Sequence, residues 1–170
     1  MNVADEDDPH DYSLNYHEMT CCGIDLHHET GLVASGDFSG NVYIWKQGVH
    51  DPVDKAFVGF PVRSLCWSPD STSLQVGCLD GNVYNWIPGI KNSDSNSNCV
   101  GSEPSILFSL TDGVTSLRWE NGDESKALAA GTTDGTLAIL RRQPGETQLR
   151  IQLAIKAHKP STGPQNLNVQ

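Results

Sequence analysis

The densest run of side chains able to hold a metal or move a proton is Asp25-Leu26-His27-His28-Glu29. Carboxylates and imidazoles are good ligands for zinc and similar ions. A metal needs several of them converging on one point. Here they follow one another at a strand end, where neighbouring side chains diverge, and no second cluster has ligand spacing. The run reads as a polar surface loop. Cys21-Cys22 is an adjacent pair, not Cys-x-x-Cys, and carries no zinc or redox logic. The chain contains no G-x-S-x-G, no P-loop and no G-x-G-x-x-G. With no nucleophile set beside a base, it reads as non-enzymatic, with no catalytic residue, no metal and no cofactor.

The residues that recur are turn formers and aromatics. One pattern appears three times: Ala34-Ser35-Gly36-Asp37-Phe38-Ser39-Gly40-Asn41-Val42-Tyr43-Ile44-Trp45, Gln75-Val76-Gly77-Cys78-Leu79-Asp80-Gly81-Asn82-Val83-Tyr84-Asn85-Trp86 and Ala129-Ala130-Gly131-Thr132-Thr133-Asp134-Gly135-Thr136-Leu137-Ala138-Ile139-Leu140. Asp80-Gly81 and Asp134-Gly135 read as two-residue hairpin turns, which need φ > 0, with Ser39-Gly40 in the same slot. Beyond each turn the residues alternate, Val42 and Ile44 facing one way, Tyr43 and Trp45 the other, as a strand requires. A strand precedes each hairpin, at Met19–Ile24, Val62–Trp67 and Val114–Trp119. Another follows, at Lys55–Val58, Ile106–Leu110 and Arg150–Ile155. Each copy is therefore a four-stranded antiparallel meander. The strict strand positions of Trp45, Trp67, Trp86 and Trp119 predict packing between meanders rather than base-stacking platforms.

Composition narrows the function classes. The chain has 170 residues, enough for a sizeable core, and a formal net charge of -10. Part of that charge is an acidic run at Asp5, Glu6, Asp7, Asp8 and Asp11. Net negative charge disfavours a phosphate backbone, which demands clustered Lys and Arg. No long apolar run exists, so no membrane insertion is expected. Five cysteines (Cys21, Cys22, Cys66, Cys78, Cys99) show no disulfide framework, and a reducing cytoplasmic or nuclear setting is expected. The polar insert 91–104, with Lys91–Asn98 of low complexity, is expected as a mobile loop.

On the Ser68-Pro69-Asp70 turn, the G-x-x-D-G hairpins, the closing Trp and the Ala157-His158 dipeptide, the chain resembles the WD40 repeat family over about residues 12–158. The resemblance implies an all-β fold, a partial β-propeller of about three blades that do not close. Their expected spans are about 17–58, 60–110 and 112–158. Residues 1–11 and 159–170 are expected as disordered tails, and Tyr12–Tyr16 as a strand completing the last blade. The chain reads as the first part of a larger propeller. Remaining blades or self-association would then cover its open side.

The chain departs from the family pattern. No Trp-Asp dipeptide occurs, and the family's His–Ser–Asp–Trp network reads as incomplete in every blade. The first has His17, Ser35 and Trp45 but Ser39 in place of Asp. The second has Asp80 and Trp86 but Phe60 and Val76. The third keeps only Asp134. Asp80, Gly81, Asp134, Gly135, Trp45, Trp86, His17 and His158 are read as structural turn and packing residues. By family implication the propeller docks other proteins through loops at the channel rim. The rim residues would be Phe38, Leu79 and Thr133, with Glu18, Arg63 and Thr115 at the starts of the first strands. Exposed Phe38 and Leu79 at loop tips are what partner anchors would look like, the alternative being partial burial against the next blade. The function so implied is a non-enzymatic scaffold in an intracellular multiprotein complex. The alternative is an RNA- or chromatin-associated recognition subunit.

Overall fold

The computed structural model describes residues 16–90, 101–120, 127–142 and 149–157. Twelve strands in this part form three four-stranded antiparallel sheets, ordered β1-β2-β3-β4, β5-β6-β7-β8 and β9-β10-β11-β12. The first sheet comprises β1 (Cys21–Leu26), β2 (Val33–Asp37), β3 (Asn41–Trp45) and β4 (Asp54–Phe57). The second comprises β5 (Val62–Trp67), β6 (Leu74–Cys78), β7 (Asn82–Trp86) and β8 (Ser105–Ser109). The third comprises β9 (Val114–Trp119), β10 (Ala127–Thr132), β11 (Thr136–Arg142) and β12 (Leu149–Lys156). Each sheet is a meander, as the repeats predict. Of the expected leading strand, Tyr16 stands in a turn and residues 12–15 lie outside the described residues, as do Asp5–Asp11, Lys91–Asn98, Cys99 and His158.

The sheets are arranged as blades. Their first strands, β1, β5 and β9, lie side by side, and β2 and β6 pack on the first strand of the following sheet. Glycine makes that approach possible. A methyl group on Gly36 would lie 2.6 Å from Val62, and one on Gly77 would lie 2.7 Å from Val114. Gly36 and Gly77 are thus the seats for Val62 and Val114, the valines that open the next blades.

Period-two alternation then sorts the side chains. Val42 and Ile44 are fully buried between the first two blades, against Val62, Leu65, Trp67, Val76, Tyr84 and Trp86. Val83 and Cys66 turn to the other side of the second blade. There they join Val114, Leu117, Trp119, Leu128, Ala138 and Leu140. Burying such an aliphatic side chain contributes about 1.5–3 kcal/mol. Trp67, Trp86 and Trp119 are all buried in these two layers. Trp45 is half-buried on the outer face of the first blade, where Tyr16, His17 and Tyr43 surround it.

Hydrogen bonds also cross between blades. Asp25 accepts the Trp67 amide at 2.8 Å, and Ser64 accepts the Leu117 amide at 2.9 Å. The Trp119 indole donates to Gln75 at 2.7 Å. Buried His27 meets the Ser71 carbonyl at 3.1 Å and packs edge-on against Trp67. Two of the apparent metal ligands, Asp25 and His27, therefore join blades.

Candidate functional site

In each meander the start of the first strand, the second hairpin and the end of the fourth strand fall at one end. Geometry at that end repeats. The amides of Phe38, Leu79 and Thr133 donate to Thr20, Pro61 and Gly113 of the same blade at 3.0, 3.0 and 2.8 Å. The three residues are therefore equivalent. Phe38 and Thr133 are exposed. Leu79 is half-buried, because its side chain packs over Gly113 ahead of the third blade.

Register defines a second ring of positions. Each first strand slips against the second, between Cys21 and Gly23, between Val62 and Ser64, and opposite Gly131 and Thr132. The residues carrying the slip are Cys22, Arg63 and Thr115. Such a bulge re-aims its side chain, and Arg63 is exposed here. This corrects one expectation. Glu18 precedes β1 in an exposed bend, and Cys22 holds the place of Arg63 and Thr115. The first strand starts two residues later than its sequence suggests.

The hairpins themselves differ from the two-residue turns expected. Gly40, Gly81 and Gly135 have φ of 93°, 87° and 82°, while Ser71 is the sole positive-φ residue that is not glycine among those described. Their amides return to the carbonyls of Asp37, Cys78 and Thr132 at 3.2, 3.2 and 3.1 Å. Glycine thus occupies the fourth position of a turn, where left-handed backbone is needed. Asp80 and Asp134 precede it and accept the amides of Asn82 and Thr136 at 3.0 and 3.1 Å. Hydrogen bonds from Thr132 and Thr136, then Lys156, hold the Asp134 carboxyl well below the usual carboxylate range.

Asp37 overturns the incomplete-network expectation for the first blade. Its Oδ2 lies 2.9 Å from His17 Nδ1. His17 Nε2 lies 2.7 Å from Ser35 Oγ, which accepts the Trp45 indole N–H at 2.7 Å. The other carboxylate oxygen, Oδ1, accepts the amides of Ser39 and Asn41 at 2.9 and 3.0 Å. All four roles are filled, with the acid two residues earlier than expected. Asp37 follows Ser35 by two residues on β2, which keeps both side chains on one face of the strand, and that was the missed signal. Burial alone would raise the Asp37 carboxyl. The bonds from His17, Asn41 and Ser39 outweigh it and hold the group below its ordinary value.

Three thiols, Cys21, Cys66 and Cys78, are held in the protonated form by burial. Burial pushes Cys78 up to about 12, and raises Cys66 and Cys21 as well. The described cysteines, Cys21, Cys22, Cys66 and Cys78, are free. No group of three His, Cys, Asp or Glu could hold a metal among the described residues.

Comparison with known proteins places this architecture. The WD domain, G-beta repeat family matches residues 55–86. That match runs from β4 through β7, so one sequence repeat spans two blades. Angio-associated migratory cell protein from Homo sapiens is 26% identical over 125 residues, covering 71% of this chain and 24% of that protein. The same protein from Canis lupus familiaris matches equally. The chain thus spans about a quarter of the length of these relatives. A chain in the crystal structure of the Mitotic Checkpoint Complex superposes with a TM-score of 0.64 at 23% identity, over 85% of this chain and 42% of that one. The computationally designed Ika8 protein gives 0.62 at 17%, over 86% and 39%. At those identities the two structures speak for fold alone. The chain is a partial β-propeller, three blades that do not close. It is similar to WD40-repeat proteins, with one repeat of that family matched at residues 55–86.

Proposed function

We propose that this chain is a non-enzymatic docking scaffold that binds partner proteins through the hairpin end of its blades, within an intracellular multiprotein complex. One observation carries the reading. Three register-equivalent hairpins and three equivalent bulges place Phe38, Thr133 and Arg63 at one end, exposed, on a frame of buried strands. Rigid elements that present varied side chains at equivalent positions suit recognition. Glu18 and half-buried Leu79 border the same end. Free cysteines fit a reducing compartment. No helix among the described residues is long and apolar enough to cross a membrane. The net charge of -10 weighs against the RNA- or chromatin-associated alternative.

The test is quantitative affinity capture with two variants matched in melting temperature. One carries Phe38→Ala, Arg63→Glu and Thr133→Ala; the other alters the opposite end, with Lys46→Glu and His28→Ala. Loss of a common set of proteins from the first alone supports docking at the hairpin end. Equal loss from both, or loss on nuclease treatment, contradicts it.

A further inference from the structure

Three of the chain's four phenylalanines lie at the hairpin end of the first blade. Phe57, Phe60 and Phe38 are 65%, 45% and 37% exposed. The geometry joins them. Gly40 has φ of 93°, and a methyl group there would lie 2.9–3.0 Å from the backbone of Gly59 and Phe60. The hairpin bearing Phe38 is therefore seated on the segment bearing Phe60. The Val58 amide closes the seat, donating to the Gly40 carbonyl at 2.9 Å. The Phe57 ring lies 3.9 Å from where a Gly59 methyl would stand.

The patch is peculiar to this blade. The equivalent contacts of Gly81 reach Leu110 and Asp112, and β3–β4 register matches Phe57 with Ser109. The second blade thus has Leu79, Ser109 and Asp112 where the first has Phe38, Phe57 and Phe60. In the third blade Thr133 and Lys156 hold the first two places. Blade packing does not require phenylalanine at these positions, since two blades fold without it.

Charge around the patch selects the occupant. Arg63 follows Phe60 by three residues, on the bulge. Lys55 shares a face of β4 with Phe57, being two residues away. Both are exposed, and neither makes an ion pair among the described residues. Most carboxylates of this blade are already engaged. Asp25 serves Trp67, Asp37 serves His17, Asp51 serves Tyr16 and Asp54 serves Gly89. Glu18 is exposed, as is Glu29, which lies 3.8 Å from His28. A chain of net negative charge thus sets two cations, without an ion pair among the described residues, beside three exposed aromatic rings. We infer that the Phe38–Phe57–Phe60 patch binds a short extended peptide segment of a partner protein, carrying two apolar anchors flanked by Asp or Glu. The rings take the anchors, and Arg63 and Lys55 pair with the acids. This inference rests on the docking reading above and names the partner's chemistry.

The experiment selects a phage-displayed random twelve-residue library on the full 170-residue chain. The enriched sequence, made as a fluorescein-labelled peptide, is then titrated by anisotropy against wild type and variants. Phe57→Ser with Phe60→Ala is the principal variant, since Ser is what the second blade uses in place of Phe57. The inference expects acidic peptides with paired aromatic or aliphatic residues. Their affinity should fall at least about tenfold in the double variant, with melting temperature unchanged. Arg63→Gln should weaken binding less and flatten its salt dependence. Enrichment of basic peptides overturns the inference, as does failure to enrich any. Peptides insensitive to the phenylalanines but lost on Thr133→Ala overturn it while leaving docking at the hairpin end standing.

Discussion

Asp37 shows how much one residue can carry. It is fully buried, and it accepts from His17, Ser39 and Asn41 at once. Removing His17 leaves a buried acceptor short of a partner, which costs about 1–3 kcal/mol. His17→Ala is therefore expected to lower unfolding free energy by about that much at neutral pH, by urea denaturation. The sign of the pH effect follows from the lowered folded-state value. The stabilisation from Asp37 is present above the ordinary carboxyl value of 3.8 and is lost as pH falls through the lower folded value. Stability of Asp37→Asn should accordingly approach that of wild type only below that window. Parallel melts at neutral and strongly acid pH check this. Phe38 and Leu79, alike in sequence pattern, part company here. Phe38→Ala should leave the melting temperature nearly unchanged. Leu79→Ala should lower it, because that side chain covers Gly113. Equal shifts in a thermal scan would contradict the assignment of Phe38 to the surface.

The elements were the most legible part of the sequence. Alternation of Val42, Tyr43, Ile44 and Trp45 fixed both strand and facing. The repeated Gly-x-x-Asp/Ser-Gly fixed where hairpins fall. What the pattern could not show was geometry set between elements. The bulges at Cys22, Arg63 and Thr115 arise from register with the neighbouring strand, so Glu18 was misplaced. The turn form depends on an aspartate carboxylate capturing a backbone amide, which Asp-Gly alone does not distinguish from a two-residue turn. The Gly36–Val62 approach joins residues from two blades and gives a prediction of its own. Gly36→Ala should destabilise by about 1–3 kcal/mol, the range for overpacking. Adding Val62→Ala should return part of that loss. Gly131→Ala should cost less, since the nearest atom is a rotatable hydroxyl, Ser116 Oγ at 2.8 Å. A double-mutant cycle by chemical denaturation measures the coupling. Strict additivity of Gly36→Ala and Val62→Ala would contradict the stacking of the first two blades.

At the scale of the molecule, three blades leave two outward faces. Ile24 and Leu26 are exposed on β1, and Ile151, Leu153 and Ile155 on β12. Apolar strands in such positions favour association. The 170-residue chain should therefore elute above its monomer mass in size-exclusion chromatography at micromolar concentration. A sharp monomeric peak would show that these faces are tolerated in water. The docking claim belongs to the same scale, since it depends on which end of the blades meets a partner. Hydrogen–deuterium exchange of the chain, free and bound to a captured partner protein, reads that end directly. Docking at the hairpin end predicts new protection at residues 37–41, 60–64, 78–82 and 132–136, with loops 46–53 and 68–73 unchanged. Protection confined to 46–53 and 68–73 would contradict it.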